Sequence, residues 1–472
     1  MQLAVELATR FNGEIVNADA MQMYGGLPII TNKLSDEEQR GIPHHLLGNI
    51  GLEEEPWTVA KFKPEATRII SEIRARGKLP IVVGGTSYYL DSLLFEEKLV
   101  PSTSGVQNRD DLNKQYPILT ESAEVMLKKL REVDPVMADR WHPNDIRKIR
   151  TSLEVYLTTG RRASDIYAEQ QSRKESKWAS ADSAAASPES GAQSPWKTLI
   201  FWLYAKPEVL NTRLEKRVDR MVDNGLLGEV TDVYDYLQGR LATGEQVDRT
   251  KGIWQSIGFK QFEPYLCALK QEAPVPGQKL QKLKETGIEE TKTANRRYAK
   301  DQVRWISLKT MPTMQEEKVL DRLFLLDSSD IERYNSEVLE KGAELTKKLL
   351  ADQDLPPPLE LSETAREVLT AQAERRNRQP AVVPCNKTCD VCNKRLVTER
   401  EWEMHIKSNR HRINLNRKKR RALVVIDSDE RQRVAAAADS AEPSMESSSS
   451  PLAASPSRTS TEDSTRDQND TS

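Results

Sequence analysis

Only four cysteines occur in 472 residues. That is too few for a disulfide scaffold and suits a reducing compartment. No run of about 18 apolar residues occurs, so no membrane-spanning helix is expected. Charge of one sign is also lacking: 70 Lys and Arg stand against 72 Asp and Glu, for a net charge of -2. The average hides local bias, because Lys and Arg gather between residues 205 and 305 and again from 387 to 421. Such patches point to a polyanionic partner more than the overall balance does. No internal repeat is visible. Neither a secretory signal nor a transit peptide reads at the start, which excludes nothing about targeting. The opening "MQLAVELATR" has apolar Leu3, Ala4, Leu7 and Ala8 at helical spacing, yet no Ser, Thr, Asp or Asn cap precedes it and no Pro stands in its first turn.

Up to about Phe95 the pattern alternates strand and helix: a helix over 2–10, a strand at "EIVNA", a helix at "TVAKFKPEATRIISEIRARG", then the apolar run "LPIVVGG" leading into "TSYYLDSLL". Alternation of this kind predicts a parallel sheet covered on both faces. Residues 1–108 are therefore read as the first part of an α/β core and 109–171, with helical periodicity throughout, as an insertion. Residues 172–196, rich in Ser and Ala, are read as a disordered linker. "WKTLIFWLYA" restores a buried-strand pattern, so 197–350 is read as the resumed core followed by helices. A cysteine–histidine segment occupies 385–411, a basic segment 412–426, and a disordered Ser/Asp/Glu-rich tail 427–472.

Cys389-Asp-Val-Cys392, twelve residues, His405, five residues and His411 form a tetrahedral zinc spacing of thiolate and imidazole ligands. Leu396 and Trp402 stand where a ββα finger needs its small apolar core. Cys267 and Cys385 have no such partners and are read as plain thiols. A lone finger binds DNA, RNA or protein. Lys407, Arg410, Arg412 and the run from Arg417 to Arg421 give it a charge density suited to phosphates, a nuclear localisation signal or a solvated face.

In open α/β sheets ligands gather at the carboxyl ends of the strands. Asp19 ends "EIVNAD", and Gly84, Gly85 and Thr86 end "LPIVVGGT". Glycines at a strand-to-helix turn let a backbone approach a ligand, and the helix start offers N–H groups to an anion. Taken alone, the glycine pair fits a tight connection and Asp19 a helix cap equally well, with Gln22 an unremarkable polar residue one turn on. Arg213, Arg217 and Arg220 share one stripe of "LNTRLEKRVDRMVDNG". Arg297, Lys300 and Arg304 share a face of "ANRRYAKDQVRWI", with Tyr298 and Trp305 behind. One basic stripe is usually a solvated face, but two favour contacts to a phosphate backbone. "HPND" reads as a turn with Asn144 or Asp145 capping a helix that carries Arg147, Lys148 and Arg150.

Six segments in order, "EIVNADAMQMYGGLPIITNK", "LPIVVGGTSYYLDSLL", "HPNDIRKIRTSLEVYLTTGR", "RVDRMVDNGLLGEV", "SIGFKQF" and "TANRRYAKDQVRWI", together resemble the tRNA dimethylallyltransferase family over most of 1–310. The finger and basic segment resemble its eukaryotic branch. The resemblance implies a P-loop NTPase-like parallel sheet, with a helical insertion that grips the anticodon stem-loop and a flipped target base. The implied reaction transfers a dimethylallyl group from dimethylallyl diphosphate to N6 of adenosine 37, in tRNAs reading codons that begin with U. By this resemblance Asp19 orients or deprotonates the N6 amine. Gly84, Gly85, Thr86, Arg213 and Arg217 hold the diphosphate, with Thr86 and Arg217 acting directly on the leaving group, and Mg²⁺ helps neutralise it. Asp19, Ala20, Met21, Gln22, Arg147, Lys148, Arg150, Thr151, Ser256, Ile257, Gly258, Phe259, Lys260, Arg297, Lys300 and Arg304 would meet the tRNA. Three arginines share one face, so the choice among Arg213, Arg217 and Arg220 stays open.

In the family, the segment equivalent to "QLAVELA" follows a first strand and a P-loop of the Gly-x-Thr-Gly-x-Gly-Lys-Ser type, which cradles the diphosphate. Here that loop is not written. Loss of a central strand leaves unpaired backbone groups on its neighbours, so the chain as written is expected to fold poorly or to transfer weakly. A catalytically dead RNA-binding zinc-finger protein and a P-loop nucleotide kinase relative are the alternatives. A monomer is expected, in cytoplasm, nucleus or mitochondrion, with structural Zn²⁺ in the finger.

Overall fold

The apolar runs form strands, and the amphipathic stretches between them form helices that cover the sheet. A computed structural model describes residues 1–95, 109–181, 196–271, 273, 275–377 and 384–418. In chain order the first part runs α1 (Gln2–Arg10), β1 (Gly13–Asn17), α2 (Asp36–Gln39), β2 (His44–His45), α3 (Val59–Ala75), β3 (Leu79–Val83) and α4 (Ser87–Leu94). The insertion holds α5 (Arg109–Gln115), α6 (Ala123–Val133), α7 (Pro135–Arg140), α8 (Ile146–Thr159) and α9 (Ala163–Ala181). There follow β4 (Ile200–Tyr204), α10 (Pro207–Asp223), α11 (Leu226–Ala242), α12 (Phe259–Leu269), α13 (Gly277–Trp305) and α14 (Met311–Glu316). Then come β5 (Leu323–Asp327), α15 (Lys341–Leu350), α16 (Glu363–Asn377), β6 (Pro384–Cys389), β7 (Lys394–Thr398) and α17 (Glu399–Lys407). The described chain divides into two units, 1–386 with 397–399, and 387–396 with the residues from 400 on.

β1 lies between β2 and β3 in a parallel three-stranded sheet, with Ile15 opposite both His44 and Ile81, and Asn17 opposite Val83. Its five residues are all buried. Those of β3 are only half-buried, because its second edge pairs with no strand among the described residues. The half-exposure leaves that edge's backbone groups within reach of water. β4 and β5 form a second parallel pair, with Trp202 opposite Leu325. α1 packs on both sheets: Ala4, Val5 and Ala8 against Ile15, and Leu3 and Leu7 against Leu326. Its start carries no side-chain cap, as the sequence implies.

β5 is a strand that the sequence does not place within 207–350, a stretch read as mostly helical. Its "LFLLD" is a short apolar run, which periodicity alone cannot assign to helix or strand, and parallel pairing with β4 decides it. α9 runs into the segment read as a linker as far as Ala181; residues 182–195 of that segment and the tail 427–472 lie outside the described residues, as do 419–426 of the basic segment. The insertion has its own core of Leu127, Leu130, Ile149 and Leu153. Its helix starts are capped by carboxylates, Asp134 on the Met137 amide and Asp145 on that of Lys148.

At the amino end of β1 the buried Glu14 carboxylate, 4% exposed, pairs with Arg76 at 2.6 Å, His45 at 2.7 Å and Lys78 at 2.9 Å. Burial pushes its pKa up, but the side-chain hydrogen bonds from Lys78, His45 and Arg76 outweigh this and hold it at about 2, from 4.5. A depressed carboxylate stabilises the fold above its unfolded pKa and loses that stabilisation as pH falls from 4.5 towards 2. Glu14→Gln is expected to cost about 3 kcal/mol at neutral pH and to flatten the acid limb of stability. Denaturant melts of both proteins between neutral and acid pH check this.

Candidate active site and metal centre

The carboxyl ends of β1 and β3 meet at Asp19 and the Gly84–Gly85–Thr86 turn. Asn17 builds the first half, its side chain accepting from the Asp19 amide at 3.1 Å and donating to the carbonyls of Asp19 and Leu46 at 3.0 and 2.8 Å. Asp19 Oδ1 accepts from the Met21 amide at 3.0 Å. Gly84 is needed for a close approach: a Cβ there would lie 2.2 Å from the Ala18 carbonyl carbon and 2.7 Å from the Asp19 nitrogen. Thr86 Oγ1 accepts from the Ala20 amide at 2.9 Å, which leaves its own hydroxyl proton to donate elsewhere. Burial raises the Asp19 pKa, against the amides of Met21 and Gln22 and the charges of Arg217 and Lys33. A desolvated carboxylate at the ends of two parallel strands is suited to take a proton.

Among the three arginines the geometry favours Arg217. Arg213 is spent on structure, donating to the carbonyls of Ser328 and Ser329 at 2.6 and 2.9 Å, and Arg220 is exposed. Arg217 donates to Asn295 Oδ1 at 2.6 Å, while its Nε is buried with no hydrogen-bond partner among the described residues. Burial, then Arg220, lowers its pKa, and Asp19 pulls it back up. A half-buried guanidinium with an unused buried donor is suited to an anion. The buried Gln22 side chain and Ser256 hydroxyl also keep oxygens without a partner among the described residues.

Tyr298 lies behind the basic face of α13 but stays 44% exposed, and its hydroxyl donates to the Gly85 carbonyl at 3.2 Å. Arg297, Lys300 and Arg304 are exposed on the other side of that helix. On α8, Arg147, Lys148 and Thr151 are exposed, with Lys148 paired to Asp145 at 2.9 Å and lying over Trp141. Arg150 turns inward onto Glu154, the Leu119 carbonyl and Asn113, at 2.7, 3.0 and 2.7 Å. It braces the insertion. In "SIGFK", Ser256, Gly258 and Phe259 are buried, Ile257 is half-buried and Lys260 is exposed. Two site features went unread in the sequence. Glu229 on α11 accepts from the amides of Ile29 and Ile30 at 2.9 and 2.7 Å, fixing the loop after Asp19. Lys33, lowered by burial to about 8 although Glu229 and Asp19 oppose this, donates to Gly26 O and Thr31 Oγ1.

In the second unit the ligand atoms of Cys389, Cys392, His405 and His411 all lie within 4.8 Å of one another. His411 Nδ1 is 3.4 and 3.6 Å from the two sulfurs, close to the ligand-to-ligand spacing of roughly 3.5 Å that a tetrahedral metal site requires. His405 Nε2 is buried without a hydrogen-bond partner among the described residues. These residues fit a metal ion. No other group of three such ligands converges among the described residues, so none surrounds Asp19. No helix of the described chain is long and apolar enough to cross a membrane.

A desolvated carboxylate within electrostatic reach of an incompletely satisfied arginine, next to a glycine turn at the carboxyl ends of parallel strands, suits group transfer with an anionic leaving group. The sequence comparisons give this class its particular member. Residues 22–309 match the IPP transferase family model, and the chain belongs to that family of prenyl transferases. A tRNA dimethylallyltransferase of Schizosaccharomyces pombe is 36% identical over 440 residues, covering 89% of this chain and 93% of that protein. One from Homo sapiens is 34% identical, covering 89% of this chain and 84% of that one. A solved structure of a eukaryotic dimethylallyltransferase acting on tRNA is 32% identical with a TM-score of 0.72, and the match covers 90% of this chain and 96% of that one.

Proposed function

We propose that this chain transfers a dimethylallyl group from dimethylallyl diphosphate to N6 of adenosine 37 in the anticodon loop of tRNAs that read codons beginning with U. The single observation that carries the reading is the half-buried Asp19 carboxylate within electrostatic reach of the incompletely satisfied Arg217. The names of the similar proteins support the substrate pair. In the reaction N6 attacks the allylic carbon, forming the N–C bond as the C–O bond to diphosphate breaks. The electron pair of that bond leaves with the diphosphate, whose growing charge Arg217 and the Thr86 hydroxyl stabilise. Asp19 takes the proton released from the amine. Exposed Arg147, Lys148, Thr151, Arg297, Lys300 and Arg304 suit the RNA backbone, and Asp19 to Gln22 with Ser256 suit the flipped nucleotide. Mg²⁺, expected from the resemblance, would help neutralise the departing diphosphate.

Zinc is the metal that the finger's two thiolates and two imidazoles favour, and when bound it holds the hairpin β6–β7 against the helix. Native mass spectrometry is expected to show one zinc per chain, lost in Cys389→Ser. A protein that keeps no zinc in its unaltered form contradicts this.

Labelled dimethylallyl diphosphate and a tRNA with adenosines at 36 to 38 test the transfer. RNA binding with no label transferred favours an RNA-binding protein, and phosphate transfer from ATP favours a kinase relative.

A further inference from the structure

One side of α13 reaches three separate parts of the site. Asn295, 7% exposed, accepts from Arg217 at 2.6 Å and is itself held by donating to the Thr291 carbonyl at 3.0 Å. Tyr298 and Gln302 donate to one acceptor, the Gly85 carbonyl, at 3.2 and 3.0 Å. Trp305 Nε1 donates at 2.9 Å to the buried Asp91 carboxylate on α4, the helix that begins after Thr86. Residues at i, i+3, i+7 and i+10 fall on one stripe of a helix, away from the exposed cations of the same helix.

The Gly85–Thr86 peptide is pinned at both ends. Its carbonyl is taken by Tyr298 and Gln302, and its N–H donates to the Ala18 carbonyl at 3.2 Å. A Cβ at Gly85 would lie 2.5 Å from Gln302 Nε2, 3.4 Å from Asp19 Oδ2 and 3.5 Å from the Tyr298 hydroxyl, so these groups crowd one small space beside the base. A free carbonyl oxygen there would turn partial negative charge towards a diphosphate. Two donors on it remove that repulsion and fix the plane from which Thr86 projects.

We infer that Asn295, Tyr298 and Gln302 form a positioning face of the transfer site. Asn295 sets the arginine that holds the diphosphate, and Tyr298 with Gln302 sets the turn that carries Thr86 opposite Asp19. The inference rests on the transferase reading above and divides the kinetic constants between the two parts. In Asn295→Asp the new carboxylate pairs with Arg217 and competes with the leaving group. KM for dimethylallyl diphosphate and Kd for inorganic diphosphate are each expected to rise about tenfold, with kcat within about threefold. Tyr298→Phe and Gln302→Met each leave one donor on Gly85 and are each expected to lower kcat less than about threefold. The double variant strands the carbonyl and is expected to lower kcat about 10- to 100-fold, more than the product of the singles, with KM little changed.

Multiplicative singles, an unchanged Kd for inorganic diphosphate in Asn295→Asp, or kcat losses that merely track the melting temperature overturn the inference. An unaltered protein that transfers nothing overturns the transferase reading instead. The Kd comparison for inorganic diphosphate needs no turnover and still decides the role of Asn295.

Discussion

Asp19→Asn is expected to lower turnover by about 10²- to 10⁴-fold while leaving the protein folded and tRNA bound. The asparagine keeps an oxygen for the Met21 amide and removes the negative charge and with it the capacity to take a proton. Stability is expected to move the other way. Burial raises the Asp19 pKa, so the folded state binds this proton more tightly than the unfolded chain. The stability it contributes is fully present below the unfolded pKa of 3.8 and is lost as pH rises through the folded value. At neutral pH the ionised carboxylate is therefore a cost, which Asp19→Asn relieves. The expected signature is a large fall in kcat with an equal or higher melting temperature. The unaltered protein should also show an acid limb in its rate, active above the raised pKa and lost below it, which the variant lacks. Full turnover in Asp19→Asn would refute the assignment.

Arg217→Gln should cost about 10²- to 10³-fold in kcat/KM for dimethylallyl diphosphate, the scale of losing one preorganised donor to a developing anion. The same reasoning separates its neighbours. Arg213→Ala frees the Ser328 and Ser329 carbonyls, so it should lower the melting temperature more than the affinity for diphosphate. Arg220, exposed on the same helix, should tolerate Ala with little change in either. Steady-state kinetics and melts on the three variants check the order. Equal losses in all three would mean that a diffuse basic face, not one guanidinium, holds the leaving group.

Much of the site was legible because its glycines and its proposed base stand at strand ends, and continuous apolar runs closed by glycine or polar residues mark strand ends well. "LPIVVGGT" predicts both the strand and the turn that carries Thr86. The order of Cys389, Cys392, His405 and His411 predicts the metal cluster for the same kind of reason: ligand spacing is local. What could not be read was pairing across the chain. The inward turn of Arg150 and the use of Arg213 on Ser328 follow from packing, and a stripe of arginines carries no mark of which members are satisfied. Glu229 reaches the loop after Asp19 across 200 positions of sequence, with no local signal. Tyr298 and Gln302 offered one, the spacing with Asn295, but the basic residues of "ANRRYAKDQVRW" obscured it. β5 was missed because four apolar residues do not distinguish a strand from a buried helical turn.

The most direct measurement is the stoichiometry of one reaction: diphosphate released and modified adenosine formed, on tRNA carrying adenosine or guanosine at position 37. With adenosine, one diphosphate is expected per N6-isopentenyladenosine recovered from the digested tRNA, and with guanosine neither product. Diphosphate release without the modified nucleoside, or modification of the guanosine tRNA, would contradict a transfer that depends on an amine deprotonated by Asp19.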